Sequence, residues 1–171
     1  MEEKKYAVLI DGDNISSKYL DSILNEMTKY GIATYKRIYC DFTSQQSSKW
    51  RRLVRDSGIQ AMQQFANTVG KNATDSTLII DAMDILYTGN VDGFCIVSSD
   101  GDFTRLAIRL KESGMDVIGM GESKTPRSFR AACTVFTDLE ILYEAESEDD
   151  EISTKGKKPA VKHNVVKVSE I

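Results

Sequence analysis

Two short acidic segments follow apolar runs in this chain, and each has two aspartates on either side of a glycine. The first is Asp11-Gly-Asp-Asn14, and the second is Asp100-Gly-Asp102, which is preceded by Ser98 and Ser99. A carboxylate at the end of a buried strand is costly unless a cation or hydrogen bonds offset its charge. Carboxylate oxygens without histidine or cysteine are ligands that suit Mg²⁺ or Mn²⁺. The two segments therefore predict a metal site in which the ion activates a water for attack on a phosphate ester.

A third acidic segment begins at Lys71 and brings Asp75 to the start of a predicted helix. The start of a helix lies at the same edge of a parallel sheet as the strand ends, so Asp75 is predicted to approach Asp11 and Asp100. Asp81 lies six residues further on, about 120° around the helix, and its role stays open between leaning toward the site and anchoring a neighbouring loop. The segment adds one carboxylate to the predicted site and leaves a second undecided.

Some of these side chains also have an ordinary structural interpretation. Helices often begin after Asp, Asn, Ser or Thr, because these side chains accept a hydrogen bond from the first turn. For Asp13 we favour this capping role, and Asp102 can serve it for the helix that follows. For Asp11 we favour metal binding, and Asp100 has no obvious structural role. Asn14 is predicted to orient a water, a phosphate or the Asp11 carboxylate.

The rest of the sequence excludes several other kinds of active site. The single histidine, His163, lies in the tail, so the main domain has no base for a Ser-His-Asp or Cys-His mechanism and no histidine-rich zinc site. The cysteines are odd in number and lack C-x-x-C spacing, which argues against disulfides and zinc knuckles. Neither a P-loop nor a G-x-G-x-x-G turn after the first strand occurs. Catalysis must therefore use carboxylates, lysines or a metal.

Short apolar runs alternate with helical patterns along most of the chain. Apolar runs predict strands at residues 6–10, 32–40, 59–65, 94–98 and 115–120, with a last strand within 134–142. Helical spacing predicts helices at 15–30, 44–57, 75–87, 103–112 and 127–133. This alternation predicts an α/β fold with a mainly parallel central sheet between two helical layers, which is a three-layer, Rossmann-like arrangement. Ligands bind such sheets beyond the carboxyl ends of the strands, so location alone nominates the segments at 11–14 and 100–102 as one site.

Composition predicts one compact domain followed by a charged tail. A hydrophobic fraction of 41% is enough for a buried core, and no apolar run reaches the roughly 20 residues of a membrane span. The charged start leads directly into the first strand, so we expect no secretory signal and a cytoplasmic protein. The composition changes near Glu144 to an acidic run followed by lysines and small residues. We therefore expect a domain at 1–143 and a charged, flexible linker at 144–171.

In their order and spacing the acidic segments resemble the NYN domain, and in particular its LabA-like branch. The resemblance covers residues 5–142 and rests on Asp11-Gly-Asp-Asn14, on Lys71 with Asp75 and Asp81, and on Ser98-Ser-Asp-Gly-Asp-Phe103. It implies a PIN-like form of the Rossmann-like fold, bound Mg²⁺ or Mn²⁺, and hydrolytic cleavage of single-stranded RNA. It also implies metal-binding and catalytic roles for Asp11, Asp75, Asp100 and Asp102. Supporting roles are implied for Asn14, Asp81 and Ser99, the last at a position where the branch commonly has a glycine.

The resemblance extends to the tail and to the partners. Many members of this branch carry a C-terminal LOTUS-type RNA-binding domain after a charged linker, and residues 144–171 resemble such a linker cut off before that domain. Arg127 and Arg130 follow the fifth strand and, with Lys71, are the candidates for contact with RNA phosphates. Lys36, Arg37 and the basic residues within 49–55 could also hold phosphates near the site, but for those within 49–55 we favour an exposed helix face.

Two other functions stay open from the sequence. One is a non-catalytic RNA-binding module that keeps the fold but not the turnover. The other is a phosphatase that uses Asp11 and Asp13 in the same acidic site, through an aspartyl-phosphate intermediate. The oligomeric state, a homodimer included, is open as well.

Overall fold

The fold is built on one sheet of parallel strands. The computed structural model describes the backbone of residues 2–65 and 73–153 and the side chains of 2–65 and 77–153. The strands are β1 (Lys5–Asp11), β2 (Ile32–Cys40), β3 (Gln60–Gln63), β4 (Gly93–Val97), β5 (Asp116–Gly121) and β6 (Val135–Asp138). Their order across the sheet is β3-β2-β1-β4-β5-β6, and every neighbouring pair is parallel. The predicted α/β fold with a parallel central sheet is confirmed.

Helices connect the strands on both sides of this sheet. They are α1 (Leu20–Met27), α2 (Ser48–Ser57), α3 (Ala73–Thr88), α4 (Thr104–Glu112), α5 (Arg127–Ala132) and α6 (139–153). Short 3₁₀ turns lead into three of them, at Ser17–Tyr19 before α1, Gln45–Ser47 before α2 and Gly101–Phe103 before α4. Because the strand order reverses direction after β3, α1 and α2 lie on one face of the sheet and α3, α4 and α5 on the other.

Each face of the sheet has its own buried apolar cluster. Successive residues of a strand point to opposite faces, so the residues of β1 divide between the two clusters. Ala7 and Leu9 pack with buried side chains of α3, α4 and α5. Val8 and Ile10 pack with those of α1, α2 and α6. The uninterrupted apolar run of β1 follows from this burial on both faces.

The predicted elements differ from the observed ones mainly at their ends. The second strand occupies Ile32–Cys40 as predicted, whereas the third is Gln60–Gln63 rather than 59–65. The shorter span of β3 reflects its position at the edge of the described sheet, where β2 is its one neighbouring strand. Gly58 ends α2 as predicted, in a left-handed conformation with φ +68° that glycine adopts without strain. The predicted loop at 66–73 lies almost wholly outside the described residues.

The expected boundary between residues 143 and 144 is crossed by a helix. Helix α6 runs through both sides of it, and residues 154–171 lie outside the described part of the chain. Leu139 is fully buried, and Tyr143 packs edge-on against Tyr19 with ring centroids 5.6 Å apart. The Ser22 hydroxyl donates a 2.6 Å hydrogen bond to the Glu146 carboxylate. The Glu146 contact holds the start of the acidic run against α1, and residues 144–153 are helical. The division of the chain into a domain and a linker stays a prediction. No helix in the described ranges is long and apolar enough to cross a membrane.

Candidate active site

The two acidic segments meet at the carboxyl edge of the sheet. Strands β1 and β4 are neighbours, with Ile10 paired to Val97, so the residues that follow them leave the sheet side by side. Asp11 is the last residue of β1, and the Ser98 hydroxyl donates a hydrogen bond to its Oδ2 atom over 2.8 Å. Parallel topology thus brings residues that are 87 positions apart in the sequence into direct contact.

Asp11 is a buried carboxyl group with little to stabilise its charge. Only 2% of the residue is exposed. Burial raises the pKa of the Asp11 carboxyl from 3.8 to about 7, because loss of water disfavours the charged form. The hydrogen bond from Ser98 acts in the opposite direction, and the charges of Asp13 and Asp100 add to the increase. Among the described residues, the causes of this pKa shift include no cationic side chain, so a metal ion would supply the missing positive charge.

Ser98 links the two strand ends through its hydroxyl group. Besides donating to Asp11, the Ser98 Oγ atom accepts a 3.0 Å hydrogen bond from the backbone N–H of Asp100. The Asp100 carboxylate in turn accepts a 2.9 Å bond from the Asp102 N–H and caps the 3₁₀ turn Gly101–Phe103. The predicted cap at Asp102 is therefore wrong, and Asp100, which had no obvious structural role, provides it. The sequence signal for Ser98 was a hydroxyl residue two positions before Asp100, where the apolar run ends.

Asn14 joins the two loops, and Asp13 does not cap α1. The Asn14 side-chain carbonyl accepts a 3.1 Å hydrogen bond from the Ser99 backbone N–H. Asp13 accepts a 3.3 Å bond from the backbone N–H of Asp41, in the loop after β2. The helical segment starts after Ser16, whose hydroxyl accepts from the Lys18 N–H. The favoured capping role of Asp13 is thus wrong, because the chain makes a further turn before the helix begins.

Gly12 and Trp50 hold this turn against the neighbouring elements. The Gly12 N–H donates a 2.8 Å bond to the Tyr39 carbonyl, and a Cβ atom on Gly12 would lie 2.8 Å from the Ile38 Cγ1 atom. The glycine is therefore required by close approach to β2 and not by an unusual backbone angle. The buried Trp50 donates from Nε1 to the carbonyl oxygens of Gly12, at 3.0 Å, and Ile15, at 3.3 Å.

We expect Trp50→Phe to lower the free energy of unfolding by about 1–2 kcal/mol. The variant keeps an aromatic ring but leaves the carbonyls of Gly12 and Ile15 without their shared donor, and buried unpaired polar groups carry a penalty of this size. Urea unfolding followed by circular dichroism measures the change, since the substitution removes the only tryptophan. Tyr87→Phe, at a residue that is 74% exposed, is the matched control and should change stability by less than about 0.5 kcal/mol. Equal stability of Trp50→Phe and the wild type would contradict the anchoring role.

Asp81 belongs to a different polar cluster. The Tyr39 hydroxyl donates a 2.7 Å bond to Asp81 Oδ2, and the Arg37 guanidinium forms a 3.1 Å ion pair with the same oxygen. Of the two roles left open for Asp81, the anchoring one is therefore observed, with strand β2 in place of a loop. Asp75 lies in the first turn of α3, but its side chain is outside the described ones. Lys71 is outside the described residues altogether.

The two candidate arginines after β5 have different surroundings. Arg130 donates to the carbonyls of Thr125, at 3.0 Å, and Ser123, at 2.9 Å, and its guanidinium lies 4.5 Å from the centroid of the Phe136 ring. Its first role is thus to hold the loop that follows β5. Arg127 is exposed at the start of α5. A Cβ atom on Gly101 would lie 3.2 Å from Pro126, so the start of α5 lies next to the acidic turn. Arg127 therefore remains a candidate for contact with an RNA phosphate.

The carboxylates at this edge are ligands that suit a hard cation such as Mg²⁺, but the described side chains alone are too few to bind one. Asp11 and Asp100 place carboxylates on the two sides of Ser98, and Asp102 is exposed on the same turn. Among the side chains of 2–65 and 77–153, no three acidic, histidine or cysteine groups lie close enough to hold one ion. The cluster of four carboxylates therefore stays a prediction, and its completion depends on Asp75.

Comparison with known proteins identifies the family to which this fold belongs. The sequence model of the NYN domain family matches residues 5–140. This chain belongs to the NYN domain family. NYN domains are generally ribonucleases of the PIN-like group and are typically dependent on a metal ion. The family assignment confirms the resemblance, whereas the LabA-like branch stays a prediction.

Similar proteins support the fold of this NYN domain without naming an activity. An uncharacterized protein of Methanocaldococcus jannaschii is 27% identical over 125 residues, which cover 70% of this chain and 48% of that protein. The chain thus spans about half the length of this relative. The crystal structure of a protein of unknown function from Vibrio parahaemolyticus has a TM-score of 0.65 at 19% identity, covering 80% of this chain and 93% of that one. At this identity the likeness shows the fold alone.

Proposed function

We propose that this NYN domain is a metal-dependent ribonuclease that hydrolyses phosphodiester bonds of single-stranded RNA. The observation that carries the proposal is the buried Asp11 carboxylate, linked through Ser98 to Asp100 at the carboxyl edge of a PIN-like sheet. A buried acid with a raised pKa at a ligand-binding edge is typical of a functional site. Membership of the NYN family supports RNA as the substrate.

The proposal gives each residue at the edge a distinct task. Asp11 and Asp100, completed by Asp75 and Asp102, would hold Mg²⁺ or Mn²⁺. When bound, such an ion lowers the pKa of a water and neutralises charge on the phosphate oxygens. Ser98 and Asn14 fix the relative position of the two acidic loops, and Arg127 would contact a phosphate from the start of α5. Supporting groups of this kind are as necessary as the ligands, because small displacements of the reacting groups cost large factors in rate.

We expect the purified protein to cleave a fluorescent single-stranded RNA in the presence of Mn²⁺ and to lose this activity in EDTA. Asp100→Asn should reduce the rate to a tenth of the wild-type value or less, since it removes one carboxylate charge from the ion while keeping a hydrogen-bond acceptor for the turn. Asp84→Asn makes the same chemical change at an exposed position of α3 and should leave the rate unchanged. Gel electrophoresis of the products measures both.

The alternatives predict other outcomes in the same experiment. RNA binding without cleavage, in Mn²⁺ and in Mg²⁺, would replace the nuclease by a non-catalytic RNA-binding module. Hydrolysis of a small phosphate monoester by a protein that leaves RNA intact would favour a phosphatase instead. Equal rates for Asp100→Asn and Asp84→Asn would show that the cleavage does not come from this edge of the sheet.

A further inference from the structure

A basic cavity lies outside the turn that carries Asp11 and Asn14. It has a volume of about 340 Å³ and opens between the start of α1 and the outer face of α2. Two leucines line it together with a polar set made of Ser16, Ser17, Lys18, Asp21, Lys49 and Arg52. Three cationic side chains thus face one carboxylate, in a chain whose net charge is −4.

Two of the three cations of this cavity are free to bind a ligand. Lys49 and Arg52 are exposed and form no ion pair within the described part of the chain. Their neighbour Arg51 differs, because its guanidinium donates to the backbone carbonyls of Phe42 and Ser44 and holds the loop before α2. Lys18 has its ammonium group 5.1 Å from the centroid of the Tyr19 ring. The positive charge of the cavity therefore rests mainly on Lys49 and Arg52.

A short hydrogen-bonded turn connects the cavity to the acidic edge. The Asp11 carbonyl accepts from the N–H groups of Asn14, at 3.1 Å, and Ile15, at 3.0 Å, so the chain folds tightly between Asp11 and Ser16. Trp50, on α2 next to Lys49, donates to the carbonyl of Ile15. A cation site beside an acidic site suits a polyanion that extends from one to the other, since a basic surface that follows the backbone is the usual way to bind single-stranded nucleic acid.

We propose that this cavity binds a backbone phosphate of the RNA chain, a few nucleotides from the bond that is cut. The inference rests on the proposed function and adds to it the direction in which the substrate runs, from the acidic edge toward α1 and α2. Arg52 can bind a phosphate with two parallel hydrogen bonds, and Lys49 binds it as a point charge. The interpretation of the basic residues as a solvated helix face then holds for Arg55 but not for Lys49 and Arg52.

The test compares Lys49→Gln/Arg52→Gln with Arg55→Gln/Lys111→Gln, a control that removes two exposed positive charges from residues that do not line this cavity. Fluorescence anisotropy with a labelled single-stranded 20-mer RNA in EDTA measures binding without turnover. The cavity variant should bind about tenfold more weakly at low salt, and the slope of log K against log salt should fall by about 0.7, the value for one phosphate charge that the protein no longer neutralises. The control should stay within about twofold of the wild type. Circular dichroism confirms that both variants fold.

The outcomes separate this inference from the proposed function. If the wild type cleaves RNA, the cavity variant should show a raised KM with an unchanged kcat, while cleavage of a dinucleotide, whose single phosphate is the one that is cut, should not change. If the wild type does not cleave RNA but the cavity variant alone binds it more weakly, the phosphate site stands and the nuclease proposal fails. Equal binding by the cavity variant and the wild type, or equal losses in the cavity variant and the control, would overturn the phosphate site.

Discussion

Asp11→Asn is expected to reduce RNA cleavage by about a thousandfold and, at pH 8 without metal, to make the protein more stable than the wild type. The loss of activity follows because the amide brings no charge to the ion, and the removal of one electrostatic contact at a reaction centre costs factors of about 10²–10³. The gain in stability follows because the wild-type protein must keep a carboxylate out of water at this position. Asparagine can still accept the hydrogen bond from Ser98, so the fold loses little.

The stability gain has a defined dependence on pH. The Asp11 carboxyl has an ordinary pKa of 3.8 in the unfolded chain and one of about 7 in the folded protein. The folded state therefore holds the proton more tightly, and the free energy of unfolding of the wild type decreases as the pH rises from about 4 to about 7. Above pH 7 the penalty is complete. The pKa difference of about 3 units, at about 1.4 kcal/mol for each unit, corresponds to about 4 kcal/mol. We therefore expect the variant to exceed the wild type by up to about 4 kcal/mol there, and by almost nothing near pH 4.

Urea unfolding in EDTA at pH 4.5, 6 and 8 measures this difference. Asp84→Asn, at an exposed position, serves as the control and should follow the wild type at every pH. Addition of Mn²⁺ at pH 8 should raise the stability of the wild type and not that of Asp11→Asn, because an ion that binds only the folded state shifts the equilibrium by mass action. A constant difference between the variant and the wild type from pH 4.5 to pH 8 would contradict the buried-charge explanation.

The sequence predicted the strands and the position of the site because both depend on regular patterns. β1 and β4 are covered on both faces, so their residues read as uninterrupted apolar runs that end where the acidic segments begin. The parallel order then requires these ends to lie at one edge. Asp11 and Asp100 could therefore be paired from the alternation of strands and helices alone.

The details of the two loops could not be predicted in this way. Ser16, and not Asp13, caps the helical segment before α1, and Asp100, and not Asp102, caps the turn before α4. All four residue types are good caps, and the choice depends on how the chain leaves the sheet. Close contacts with β2 and Trp50 determine that path, and they involve residues far away in the sequence.

Interactions between distant elements were likewise invisible in the sequence. The pairing of Asp81 with Tyr39 depends on how α3 packs across β2, and no spacing rule encodes it. Arginine is a residue type that often binds phosphate, yet the Arg130 guanidinium donates its hydrogen bonds to backbone carbonyls of the loop after β5. The charge of the acidic run after Glu144 is typical of a flexible linker. The packing of the helix there depends instead on Leu139 and Tyr143, which precede the run and contact the core.

Gly121, the last residue of β5, sets the distance between β5 and the site. A Cβ atom at this position would lie 2.6 Å from the Ser98 carbonyl oxygen and 2.6 Å from the Thr125 hydroxyl. Neither neighbour can move easily. The Ser98 N–H is bonded to the Met120 carbonyl at 2.9 Å, and the Thr125 hydroxyl donates to the Glu122 carbonyl at 2.6 Å. A methyl group can be accommodated here only if β4 and β5 separate at the point where Ser98 contacts Asp11 and Asp100.

We therefore expect Gly121→Ala to lower the free energy of unfolding by about 2–3 kcal/mol, the cost typical of overpacking a rigid interior. Cleavage by the fraction that stays folded should fall by about a hundredfold, because a displacement of about 1 Å at a reaction centre has an effect of that size. Gly101→Ala is the control for stability, since its Cβ would meet only the Pro126 ring at 3.2 Å and should cost less than about 1 kcal/mol. A destabilised Gly121→Ala protein with wild-type activity would mean that Ser98 does not position the two carboxylates, whereas loss of both properties ties the packing of β5 directly to the chemistry at the edge of the sheet.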